Sequence, residues 1–218
     1  MSAELIATLE ERAATYGLLA RLFNREIDED LLENLGSLPL GGETPAGSPC
    51  EGARLMQAYL DASGSDAITE LAVDFARLFI VRTARTKNAS YPFESVYTST
   101  DRTIMGDARD RVLAAYRSEG LDKSPSWKLA EDHVSLELEF EQLLCSRAGT
   151  ALADGNEAEG RRLLVKQREF LDDHLLVWTP MFAEAMQVGA KTDFYRGLGS
   201  FLLEFLQDDR KHLAEIAD

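Results

Sequence analysis

Apolar residues recur every three and four positions along most of this chain. Leu5, Leu9, Ala13, Tyr16, Leu19 and Phe23 form one stripe, which predicts a first amphipathic helix. Leu31, Leu32 and Leu35 predict a short second helix stopped by Gly36, and a third runs from about Ala53 to Ala62. A fourth, from about Asp66, carries Leu71, Phe75, Leu78 and Phe79 on one face. Thr100 or Asp101 is a candidate cap for a helix aligning Ile104, Ala108, Val112 and Tyr116, with Gly120 as a left-handed stop. Ser126 is a candidate cap for the helix through Glu131 to Arg147, and the next spans about Glu157 to Val177. Thr179-Pro180 reads as a cap followed by proline at the first position of a short helix. The last helix starts at Thr192 and shows Phe194, Leu198, Phe201, Leu202, Phe205 and Leu206. No segment alternates as a strand would, and no internal repeat is visible. The pattern predicts an all-α single domain over residues 1–218, a bundle of about eight or nine helices.

Two segments break the periodicity. Between Gly36 and Gly52 lie Pro39, Pro45, Pro49 and several glycines, which predicts a mobile loop. The second runs Tyr91-Pro-Phe-Glu-Ser-Val-Tyr97. Pro92 lacks an N–H and bars its predecessor from helix, so bulky Tyr91, Phe93, Val96 and Tyr97 read as aromatics on irregular backbone near the surface, where recognition concentrates. The alternative is a loop whose aromatics plug the core.

Composition narrows the function classes. The 218 residues carry a net charge of −15, which argues against nucleic acid as a partner and favours a basic ligand or plain solubility. Cys50 and Cys145 show no paired or metal-type spacing, consistent with a reducing compartment. The first residues do not read as a secretory leader, and no apolar run is long enough to span a bilayer, so a cytoplasmic location without membrane insertion is expected. Neither His133, His174 nor His212 sits in a metal-protease or paired Glu-x-x-His context, and phosphate-loop and nucleophile-elbow motifs are missing. No metal or cofactor is expected. Glu131, Asp132, Glu137, Glu139 and Glu141 put five acids in a short run that reads as a solvated helix face, or as a surface for a cationic peptide end. Arg82, Arg85 and Lys87 form a small basic loop.

Phe75-Ala-Arg-Leu-Phe79, the Tyr91–Tyr97 segment, Glu131-Asp-His-Val-Ser-Leu-Glu-Leu-Glu-Phe140 and His174…Trp178-x-Pro180-x-Phe182 occur in that order. Together they resemble the cytoplasmic chaperones that mature molybdenum-containing redox enzymes, the trimethylamine-oxide and dimethyl-sulfoxide reductase chaperones and their nitrate-reductase relatives. The resemblance is densest from about residue 70 to 185; family members commonly have proline where Ala130 stands. It implies an all-α fold and a partner that is a molybdoenzyme catalytic subunit with a twin-arginine-type leader, bound to prevent premature export until the cofactor is inserted. It implies a groove of Phe75, Leu78, Phe79, Pro92, Phe93, Val96 and Tyr97, with polar contacts from Glu94, Ser95, Asp132 and His133. His174, Trp178 and Phe182 read as structural. Monomer and domain-swapped dimer both remain open. Guanine nucleotide has been associated with some members, but no phosphate motif supports it here. The rival reading is a small-molecule enzyme or sensor using Asp132 and His133 in a helical pocket.

Overall fold

A computed structural model describes residues 3–38, 50–80, 90–100, 104 and 106–216. The loop expected over 36–52 falls mostly, and the basic loop 82–87 wholly, outside the described residues. Among those residues the chain is all-α; the one extended pairing is an isolated antiparallel bridge between Phe93 and His133. It divides into two compact units, one of residues 1–24, 93–178 and 209–218, the other of 25–92 and 179–208.

The first unit is organised around one central helix. α1 (Ala3–Asn24) buries the predicted stripe of Leu9, Ala13, Tyr16, Leu19 and Phe23. Three short helices, α2 (Glu29–Ser37), α3 (Glu51–Ala62) and α4 (Ala67–Phe75), belong to the second unit. The chain returns to the first unit with α5 (Glu94–Thr98), α6 (Asp107–Ser118), α7 (Val134–Ala153) and α8 (Glu157–Phe170). α7 packs against both α1 and α8. It is buried on nearly every side, with Val134, Leu138, Phe140, Leu144 and Ala148 all in the core. Tyr116, Phe140 and Phe170 form an aromatic cluster with centroids 4.7–4.9 Å from Phe140. α8 runs through a π turn (Leu171–Leu175) into α9 (Leu176–Gly189), and α10 covers Asp193–Ile216. Near its end Asp209 pairs with fully buried Arg12 and accepts the Tyr16 hydroxyl at 2.6 Å, tying that end to α1.

In the second unit α3 meets α10 backbone to backbone. A Cβ on Gly52 would lie 2.1 Å from Phe201 N, and one on Gly197 2.6 Å from Gly52 O, so both positions require glycine. α4 leads into a π turn (Ala76–Ile80), and Phe75 and Phe79 pack on Tyr195, with Phe79 also against Phe182. Buried Asp74 accepts from Lys191 N (2.9 Å), Thr192 N (2.7 Å) and Thr192 Oγ1 (2.8 Å), which fixes the entry to α10.

Several expected boundaries move for identifiable reasons. Ser126 does not cap α7. Its hydroxyl bonds Ser124 at 2.7 Å, and the Asp132 carbonyl accepts from Glu94 N at 3.0 Å, so the helix starts at Val134 with His133 as cap. Thr179-Pro180 does not open a helix, because Pro180 lies inside α9. The preceding π turn has already interrupted the regular hydrogen-bond ladder, which accommodates the ring. Ile104 precedes α6 rather than joining it, since Gly106 is the cap residue and its N–H is held by Ser95 Oγ at 3.2 Å. Gly36 does not end α2, which continues to Ser37.

Candidate functional site

Phe93 leaves Pro92 in extended backbone and bridges to His133, and this short pairing organises the site. Immediately after it the chain turns into α5. Glu94 N donates to the Asp132 carbonyl, Ser95 N donates to Asp132 Oδ2 at 2.9 Å, and the Ser95 hydroxyl donates to the same oxygen. Asp132 therefore caps α5 from a distant point in the sequence, satisfying N–H groups that a five-residue helix leaves open. One residue on, His133 caps α7: its Nδ1 accepts from Ser135 N at 3.2 Å and faces Ser135 Oγ at 2.8 Å. Burial pushes the His133 pKa down to about 3, so the ring is neutral at physiological pH. Phe93 and Trp127 each meet it edge-on, at 5.0 and 5.6 Å.

Behind this junction lies a group of buried acids. Glu94 Oε2 meets His174 Nδ1 at 2.9 Å, and its other oxygen is 3.6 Å from the Arg111 guanidinium. Glu137 accepts from Trp178 Nε1 at 3.1 Å, and Tyr97 stacks on the same indole at 5.5 Å. Burial first, and then the neighbouring Glu94 charge, hold the Glu137 carboxyl well above the usual carboxylate range. Burial also raises Asp132, whose Oδ1 has no hydrogen-bond partner. At the outer edge, Glu131 is held down at about 2 by its hydrogen bond from Arg109, with Lys123 2.9 Å from its other oxygen.

The acidic run is therefore not a solvated face. Asp132, Glu137 and Glu141 are fully buried and Glu131 nearly so, leaving Glu139 as the exposed member. Glu141, also raised by burial, makes no hydrogen bond with either oxygen. Nor does the aromatic segment stand at the surface as irregular backbone. Phe93, Glu94, Ser95 and Val96 are buried, Tyr97 is half-buried, and residues 94–98 are helical because Asp132 caps them.

Of the expected groove, the structure brings Phe93, Glu94, Ser95, Val96 and Tyr97 together with Asp132 and His133 in one unit. Phe75, Leu78, Phe79 and Pro92 belong to the other, where Phe75 and Leu78 are core. His174 and Trp178 do reach the aromatic segment, through Glu94 and Tyr97. Trp127 escaped the sequence reading, although a tryptophan in a Ser-Pro-Ser-Trp-Lys loop satisfies the same criterion that singled out Tyr91–Tyr97. Asp132 and His133 each direct their hydrogen bonds to a serine, which gives no acid–base pair. Among the described residues no cluster of His, Cys, Asp and Glu could hold a metal ion, and no helix is long and apolar enough to cross a membrane.

Residues 47–184 match the family model described as nitrate reductase delta subunit. The chain is 30% identical over 215 residues to the chaperone protein TorD of Psychrobacter sp. (strain PRwf-1), covering 95% of this chain and 93% of that one. It is 26% identical to the TorD of Vibrio vulnificus (strain YJ016), over 98% of this chain and 99% of that one. In fold it is similar to a solved protein of Archaeoglobus fulgidus described as a redox enzyme maturation protein, with a TM-score of 0.51 at 20% identity, covering 90% and 93% of the two chains.

Proposed function

Since this chain belongs to the nitrate reductase delta-subunit family and is a chaperone of molybdoenzyme maturation rather than an enzyme, we propose that it captures the N-terminal, twin-arginine-type leader of one client in the cytoplasm. It holds the apoenzyme until its cofactor is inserted and so prevents premature export. The observation that carries this reading is Asp132. One carboxylate oxygen anchors α5, while the other is fully buried without a partner, so a donor meets it when the α5–His133 junction opens. An arginine or backbone N–H from the leader supplies one, and the net charge of −15 attracts a basic segment from a distance. Half-buried Tyr97 adds apolar surface beside it.

The test is calorimetric titration with the leader peptide of a molybdoenzyme encoded beside this chain. Asp132→Asn keeps the shape and an acceptor for Ser95 but removes the charge. Affinity should fall by about 1.5–3 kcal/mol, the value of a hydrogen bond to a charged group. No binding by the unmodified protein refutes leader capture, and unchanged affinity in the variant moves recognition away from Asp132. The chaperone relatives favour this reading over use of Asp132 and His133 as an enzyme's or sensor's pair, and the side chains of both residues are turned to serines.

A further inference from the structure

On the Trp127 side of His133 the first unit contains a cavity of about 430 Å³ that the function above does not use. Half of its lining residues are apolar, Tyr116, Leu121, Trp127, Leu136, Phe140 and Leu143, and the other half are polar or charged. Leu143 is 38% exposed and Trp127 half-buried, so the apolar lining opens to solvent. The Trp127 Nε1–H is buried without an acceptor, an arrangement that costs free energy until one is provided. Among the described residues the one uncompensated charge on the rim is negative, that of Glu139. Lys123 is engaged by Glu131 and by the Leu129 carbonyl, each at 2.9 Å, and Asp122 lies 3.4 Å from Arg117. Glu139 is exposed and makes no ion pair among the described residues. The volume sits at the lower end of the roughly 300–1,000 Å³ of compact ligand pockets, enough for one or two side chains.

We propose that this cavity receives a bulky apolar side chain of the client polypeptide, next to a basic residue that meets Glu139. The inference rests on the reading of this chain as a polypeptide-binding chaperone, and it adds a contact separate from Asp132. The apolar walls take the side chain and the negative rim selects its neighbour, so neither a plain apolar nor an acidic segment is equivalent.

The chain holds two tryptophans, and Trp178 is committed to Glu137, so the two indole N–H signals in a nitrogen–proton NMR spectrum separate the sites. Trp127→Phe assigns them. The probe is a capped hexapeptide with one Phe between two Arg, titrated into the full chain. The Trp127 signal should shift while the Trp178 signal stays. A peptide with Glu replacing both Arg, and the variants Leu143→Lys and Glu139→Lys at solvent-open positions, should each weaken the titration about tenfold. No shift at about millimolar peptide, an equal shift with the acidic peptide, or full binding by both variants overturns the proposal. Leader capture without the indole response sinks the cavity alone; the indole response without leader capture sinks the leader reading and leaves the cavity standing.

Discussion

Glu137→Gln should remove a pH dependence that this buried acid imposes on folding. In the folded chain burial and the Glu94 charge raise the Glu137 pKa well above its ordinary value. In the unfolded chain it titrates near about 4.3. Between those two values the folded state keeps a proton that the unfolded state has lost, so stability falls as pH rises, by at most about 1.4 kcal/mol per pH unit. Glutamine has no proton to lose and can still accept from Trp178 Nε1, now 3.1 Å from the carboxyl oxygen. The variant should match the parent within about 1 kcal/mol at pH 5 and become progressively more stable than it as pH rises toward the folded-state pKa. Glu137→Leu supplies the internal check. It removes the same titration but leaves the indole N–H without an acceptor, so its curve should run parallel to that of Glu137→Gln and about 1–3 kcal/mol below it. Urea denaturation followed by tryptophan fluorescence gives each free energy. Glu141, also raised by burial, is common to all three proteins and cancels in the differences. A difference between parent and Glu137→Gln that stays constant from pH 5 to pH 8 would falsify the buried, protonated Glu137.

Asp209→Asn leaves Arg12 charged and fully buried with weakened partners, so denaturation should show a loss of about 3–5 kcal/mol. Replacing the pair together, Arg12→Met with Asp209→Leu, should recover much of that; equal losses in both proteins would speak against it. Phe93→Ala removes a side chain that is 7% exposed and packed on His133, so melting should register a loss of about 3–5 kcal/mol. Stopped-flow association with the leader should slow as salt rises, because the Debye length shrinks to about 3 Å at 1 M; a salt-independent rate would assign the net charge of −15 to solubility alone.

Periodicity made the stripes of α1 and α10 legible because each helix buries one face and shows the other to water. It misled at α7 for the opposite reason. Val134, Leu136, Leu138 and Phe140 occupy several faces, and so do the acids between them, because this helix is enclosed by its neighbours. A glutamate such as Glu137 then points inward, where burial raises its pKa, and nothing in its spacing distinguishes it from exposed Glu139. The start of α7 was hidden likewise, since the partner that takes the Asp132 carbonyl lies at Glu94. The ordered motifs, by contrast, identified the family, and within the site they picked out both sides of the α5–His133 junction. They did not reveal Arg111, which approaches Glu94 only in three dimensions.

Asp132 is where structural and recognition roles have to be separated. A helix as short as α5 has no stability of its own, so its geometry depends on the Asp132 carbonyl, on Asp132 Oδ2 and on the contact between Glu94 and His174. Asp132→Ala removes the side-chain cap, exposing two Ser95 donors to an empty site, and should lower both stability and leader affinity. Asp132→Asn leaves an oxygen for Ser95 but neither the charge nor two free acceptors. If Oδ1 is the recognition atom, Asn should retain most of the thermal stability that Ala loses, while leader affinity falls in both variants. Melting curves and calorimetry on the pair distinguish the roles. Equal destabilisation by Asn and Ala, with leader affinity of the folded fraction intact, would make Asp132 a helix cap and nothing more.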